Sequence, residues 1–181
     1  MKTKFFLLIL ALQTAWLLAT VVHQENLLRT GPTVMLEAHR VDPRDLLRGD
    51  YLILNYTISD VPTNCFLPPV TTALRPGTKI HVALQPGTNG LYVVTRASLN
   101  EFTAAAGEVL LRGESAGRGG FATSAVHIAY GIERYFVREG TGNPVGKLTV
   151  QAAVSKSGRA SIKEVFVDGQ PYAEAMKAAR P

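Results

Sequence analysis

Residues 46–56 read Leu46-Leu47-Arg48-Gly49-Asp50-Tyr51-Leu52-Ile53-Leu54-Asn55-Tyr56, a tight turn running into a strand. Gly49 can take the positive φ that a reversal needs, and the Asp50 carboxylate can hold the turn by accepting backbone N–H bonds. A period of two follows. Leu52, Leu54, Tyr56 and Ile58 point to one face, and Tyr51, Ile53, Asn55 and Thr57 to the other, the pattern of a half-buried strand.

The chain around this strand breaks into similar pieces. Residues 33–41 alternate, with Val34, Leu36 and Ala38 on one side and Glu37 and His39 on the other. Residues 79–84 and 91–98 flank Gln85-Pro86-Gly87-Thr88-Asn89-Gly90, whose Pro-Gly and Asn-Gly pairs signal a hairpin. Further strands are expected at 107–112, 122–130, 134–139, 148–154 and 160–167. Val165 and Val167 have slipped one place out of phase with Ile162, which predicts a bulge near Glu164. Gly131, between two apolar runs, suggests a bulge or corner. Residues 61–77 carry Pro62, Pro68, Pro69 and Pro76, too many breakers for a paired strand or a helix, and read as an irregular connection that can cover a sheet edge. Residues 113–120 read as a glycine-rich loop, and 171–181 as an alanine-rich tail with a turn or two of helix. The result is an all-β barrel or sandwich of eight to nine short, mainly antiparallel strands over 33–170.

One segment does not fit that pattern. Residues 5–22 are 18 positions without a formal charge, preceded by Lys2 and Lys4. A spanning helix needs about 20 mostly apolar residues, within a range of roughly 17 to 25. The domain plan is therefore a membrane anchor at 1–24, a polar spacer at 25–32, the β domain and the tail. Lys2, Lys4 and the terminal amine outweigh Arg29, which places the N-terminus in the cytoplasm and the β domain outside it. A cleaved signal peptide is the competing reading. Cleavage after Ala15 or Ala19 would leave Gln13 or Leu17 where a small residue is wanted, so an uncleaved anchor in contact with lipid through 5–22 is expected.

The net charge of +5 falls to +3 once Lys2 and Lys4 are set aside, since 17 Lys and Arg then face 14 Asp and Glu. These cations are scattered singly, without the basic cluster that a nucleic acid requires. Cys65 is the single cysteine, so no intramolecular disulfide can form and packing must supply the stability.

Gly49-Asp50-Tyr51, two residues, Leu54, one residue and Tyr56 resemble the signature of the GDYxxLxY family of membrane-anchored bacterial proteins. Tyr130-Gly131-Ile132-Glu133-Arg134-Tyr135-Phe136-Val137 is similar to that family's second recurrent block. The resemblance implies an anchored extracytoplasmic domain of a bacterial protein, with no established activity and no catalytic residue carried over; with the anchor and the lack of a catalytic set, the expectation is a non-enzymatic binding or assembly module without cofactor, beside a membrane-protein partner at the inner membrane.

Candidate site residues come from these two blocks: Gly49, Asp50, Tyr51, Leu54, Tyr56, Gly131, Glu133, Arg134, Tyr135 and Phe136. Asp50 and Glu133 could form the acid and base of a hydrolase. Structural roles explain them as well, Asp50 capping a turn and Glu133 pairing with an arginine. Tyr51, Tyr56 and Tyr135 could line a shared patch. The run Pro43, Leu46, Gly49, Asp50 also resembles the strand entry of signal peptidases and LexA-type proteases. Val41 stands near the place of their serine, no Ser or Thr occurs between Val34 and Gly49, and a base such as Lys79 has no nucleophile to activate. His39, His81 and His127 lie on separate strands without metal-ligand spacing.

Overall fold

The computed structural model describes residues 2–41, 51–117, 124–137 and 146–178. Gly49 and Asp50 with the rest of 42–50, the glycine pair Gly119-Gly120 and the stretch 138–145 lie outside the described residues. The chain divides into two units, 1–31 and 32–181.

The first unit is a single helix, α1 (Lys2–Thr30), which continues through the segment expected to be a spacer. Its apolar side chains are exposed all round, from Phe5 and Phe6 through Trp16 to Val21 and Val22. Two hydroxyls are satisfied within the helix: Thr14 Oγ1 donates to the Leu10 carbonyl and Thr20 Oγ1 to the Trp16 carbonyl, both at 2.9 Å. Such back-bonding lets a hydroxyl sit in an apolar medium. The last turns become polar, with an Arg29–Glu25 pair at 2.7 Å. The helix is long and apolar enough to cross a membrane, which fits an anchor or a signal sequence.

The second unit is built from β1 (Thr33–Val41), β2 (Tyr51–Tyr56), β3 (Asp60–Pro62), β4 (Lys79–Pro86), β5 (Tyr92–Ser98), β6 (Val109–Ser115), β7 (Ala125–Ala129), β8 (Arg134–Phe136), β9 (Leu148–Val154), β10 (Ala160–Val167), β11 (Gln170–Pro171) and a closing helix α2 (Tyr172–Ala178). They form two antiparallel sheets, ordered β11-β10-β9-β1-β2-β8 and β3-β7-β6-β4-β5. Short β3 and β11 are additions to the nine strands legible in the sequence, and β3 corrects the reading of 61–77 as unpaired, since Val61 and Pro62 pair with Val126 and Ala125 at the end of a sheet where a proline is tolerated. One core lies between the sheets, with Leu36, Leu54, Tyr56, Ile80, Leu84, Leu111, Ile128 and Val150 almost wholly buried.

Several expectations are met. Alternate residues of β2 are buried, Leu52, Leu54 and Tyr56, as the period of two requires. β4 and β5 pair as a hairpin closed by Gly87, whose N–H donates to the Leu91 carbonyl at 2.8 Å. The register of β9 against β10 shifts between Ile162 and Glu164, the expected bulge. The irregular connection covers the free edge of β5: Phe66 bridges Ala97 and the Leu67 N–H donates to the Ala97 carbonyl at 2.8 Å. Edges left open invite pairing with other chains, so this cover protects the sheet. The outer strands of the larger sheet, β8 and β11, are three and two residues long, which limits the same hazard.

Gly113 corrects the sequence reading. It belongs to β6 and opens no loop. A Cβ there would stand 2.4 Å from Ile128 Cγ2 and 2.8 Å from the Ala129 carbonyl oxygen, so only glycine lets β7 approach β6 so closely. Gly131 is the expected corner. With φ of 81° it turns the chain out of β7, in the smaller sheet, toward β8 in the larger one.

Candidate functional site

The second signature block, from Tyr130 onward, packs against the first. At the corner after β7, the Glu133 carboxylate accepts the backbone N–H groups of Tyr130 and Gly131, the latter at 3.0 Å to Oε2. Its own carbonyl accepts the Leu54 N–H at 2.8 Å. Tyr56 Oη donates to the Ile132 carbonyl at 2.7 Å, and Tyr130 Oη donates to the Ile58 carbonyl at 2.8 Å. Leu54 and Tyr56 belong to the first block and Ile58 to the 3-10 turn Thr57–Ser59 that ends the strand two residues sooner than its alternation suggested, while Tyr130, Ile132 and Glu133 belong to the second block. The blocks therefore clasp one another through backbone groups. Burial pushes both tyrosine hydroxyls above the ordinary tyrosine range, and the Glu133 charge adds to the effect, so neither ionises to serve as a base.

This geometry corrects two expectations. Among the described residues the partners of the Glu133 carboxylate are backbone amides, where an arginine was expected. An anion can bridge two adjacent N–H groups at a positive-φ glycine more compactly than it can reach a long cation. The three tyrosines also do not share a patch. Strand alternation sends Tyr56 into the core and Tyr51 to the opposite face, where it tilts against Phe136 at 6.2 Å. Tyr135, paired in register with Leu52, meets Tyr172 of α2 edge-on at 5.7 Å. Arg134 is exposed at the start of β8, opposite Ile53. Phe136 is 76% exposed, so the second block contributes one apolar side chain to the surface.

A groove outside the signature offers a different surface. It is a cavity of about 150 Å3 lined by Glu37 of β1, the segment 57–62, and Asn89 to Val94 at the β4–β5 hairpin. Most of the wall is apolar, from Ile58, Leu91, Val93 and Val94, with Tyr92 at one side. Each carboxylate in the wall has a partner. Glu37 Oε1 meets Lys147 Nζ at 2.8 Å, and Asp60 Oδ1 lies 2.6 Å from His127 Nδ1 across the β3–β7 pair. The hydrogen bond from Lys147 holds the Glu37 carboxyl below the ordinary glutamate range against the opposing effect of burial; charges on Lys147 and His39 and a hydrogen bond from Thr57 assist. A carboxylate so stabilised is a poor proton donor near neutral pH. Ligand pockets for drug-sized molecules run to roughly 300–1,000 Å3. A cavity this small suits one or two side chains of a partner better than a cofactor.

The sequence reading did not single out Glu37, Asp60 or His127 as a group. The alternation that put Glu37 on the solvent face of β1 was legible, but the β3–β7 pairing joins residues 67 positions apart and leaves no local signal. The three histidines do lie on three strands, β1, β4 and β7. Among the described residues, no three of His, Cys, Asp and Glu gather as a metal site.

A family model described as GDYXXLXY protein matches residues 13–165, and the chain belongs to that family. No curated protein and no solved structure matches it.

Proposed function

We propose that this member of the GDYXXLXY family is a membrane-anchored β domain that works by binding, beside a membrane-protein partner on the outer side of the bacterial inner membrane. The observation that carries this reading is the clasp. Glu133, the acid of the second signature block, is engaged by two backbone N–H groups, and the signature hydroxyl of Tyr56 is spent on a buried carbonyl. Residues held in that way build a scaffold. A hydrolase using Asp50 and Glu133 would require the Glu133 carboxylate to exchange protons with a substrate, and loss of its two amide partners would cost on the order of 1–3 kcal/mol. The apolar surface of α1 and the lysines of its first turn, Lys2 and Lys4, support the anchor and its orientation.

Cross-linking in intact membranes followed by recovery of the full-length chain tests the proposal. A reproducible membrane-protein adduct that weakens when Tyr92→Ala alters the groove is expected. Recovery of the chain from the soluble fraction, or the absence of any membrane-protein adduct, would refute it.

A further inference from the structure

Gln13 is the ninth of the 18 uncharged residues in 5–22, so it stands at the midpoint of the run. If α1 spans the bilayer, as proposed above, that position is where water is scarcest and an unpaired amide is most costly. The neighbouring hydroxyls of Thr14 and Thr20 are satisfied by carbonyls of their own helix. The Gln13 side chain is exposed and has no hydrogen-bond partner among the described residues. An amide reaches no carbonyl of its own helix as easily as a short hydroxyl does, and it carries a donor and an acceptor together.

We infer that Gln13 holds two copies of this chain together in the membrane, the two amides donating to and accepting from each other across a twofold axis. Self-complementarity selects the second copy as the occupant. In a twofold pair each residue meets its own counterpart, and an amide is among the few side chains that can satisfy itself in that way. The contact face follows from helical spacing. Ile9 and Leu17, four residues to either side, flank Gln13, while Ala11 and Ala15 turn away from it. Ile9 and Leu17 are both exposed, as such a face requires before pairing.

Disulfide trapping of the full-length chain in its native membranes tests the inference. In a Cys65→Ser background, Ile9→Cys and Leu17→Cys are expected to give the covalent dimer on oxidation and Ala11→Cys is not. Adding Gln13→Leu should lower the dimer yield roughly tenfold, the effect of an interhelical hydrogen bond of about 1–2 kcal/mol, and Gln13→Asn should largely restore it. Dimer yields unchanged by Gln13→Leu, trapping from Ala11→Cys in preference to Ile9→Cys, or adducts of these cysteines with another protein only, would overturn the inference while the anchor stands. Loss of the chain from the membrane pellet would overturn both.

Discussion

Tyr56 is the last residue of β2, the strand that carries the first signature, and its hydroxyl reaches a carbonyl 76 residues away. The alternation of residues 51–58 put Tyr56 on one face with Leu52 and Leu54, and that face proves to be the buried one. The partner, Ile132 O, was not legible, because a long-range hydrogen bond depends on how two sheets meet. Tyr56→Phe should leave that buried carbonyl without its donor and lower stability by about 1–2 kcal/mol, measured by urea unfolding of the detergent-solubilised chain. Gly113→Ala should cost about 1–3 kcal/mol in the same assay, since the added methyl meets Ile128 and the Ala129 backbone. Gly113 was misread because glycine in a strand and glycine in a loop look alike until the neighbouring strand is known. Acid supplies a third case. The folded Glu37 carboxyl lies below its unfolded value, chiefly through the Lys147 hydrogen bond. Its contribution is fully present above the unfolded value of roughly 4.3 and is lost as pH falls through the lower folded value. Glu108 shifts in the same direction, through the Arg96 side chain first and the Ala105 N–H second. The urea midpoint is therefore expected to drop as pH falls below roughly 4.3, and Glu37→Gln should flatten part of that decline.

Among the elements, the hairpin of β4 and β5 and the bulged pair of β9 and β10 were readable because local turn chemistry and phase fixed them. Short β3 and β11 were not, since two or three residues carry no period. The proline-rich connection was recognised as an edge cover, but not the residue that fastens it. Phe66 is fully buried beside Ala97, so Phe66→Ala should cost about 3–5 kcal/mol and also expose the β5 edge. Light scattering on partial denaturation should then show self-association that the unsubstituted chain lacks. The alanine-rich tail was expected to hold a little helix, and α2 goes further. Tyr172 and Met176 are buried against the core, so the last described helix belongs to the β domain.

For the whole molecule, the split into an apolar N-terminal segment and a packed β unit was the plainest message of the sequence, because charge and hydropathy change abruptly near residue 23. The candidate site was the least legible part. Of its named residues, Leu54, Tyr56, Gly131 and Glu133 take part in the clasp, while the groove draws on β1, the 57–62 segment and the β4–β5 hairpin, which no single stretch of sequence brings together. The clasp depends on Glu133 because its carboxylate holds the Tyr130–Gly131 corner of the second block, which presents the Ile132 and Glu133 carbonyls to Tyr56 and Leu54. Urea unfolding of the full-length chain in detergent, followed by circular dichroism of the β domain, tests that role most directly with Glu133→Ala and Glu133→Gln. Glu133→Ala is expected to lose about 1–3 kcal/mol, and Glu133→Gln, which retains one acceptor oxygen, clearly less. An unfolding midpoint for Glu133→Ala equal to that of the unsubstituted chain would contradict the carboxylate's hold on the corner from which the clasp is built.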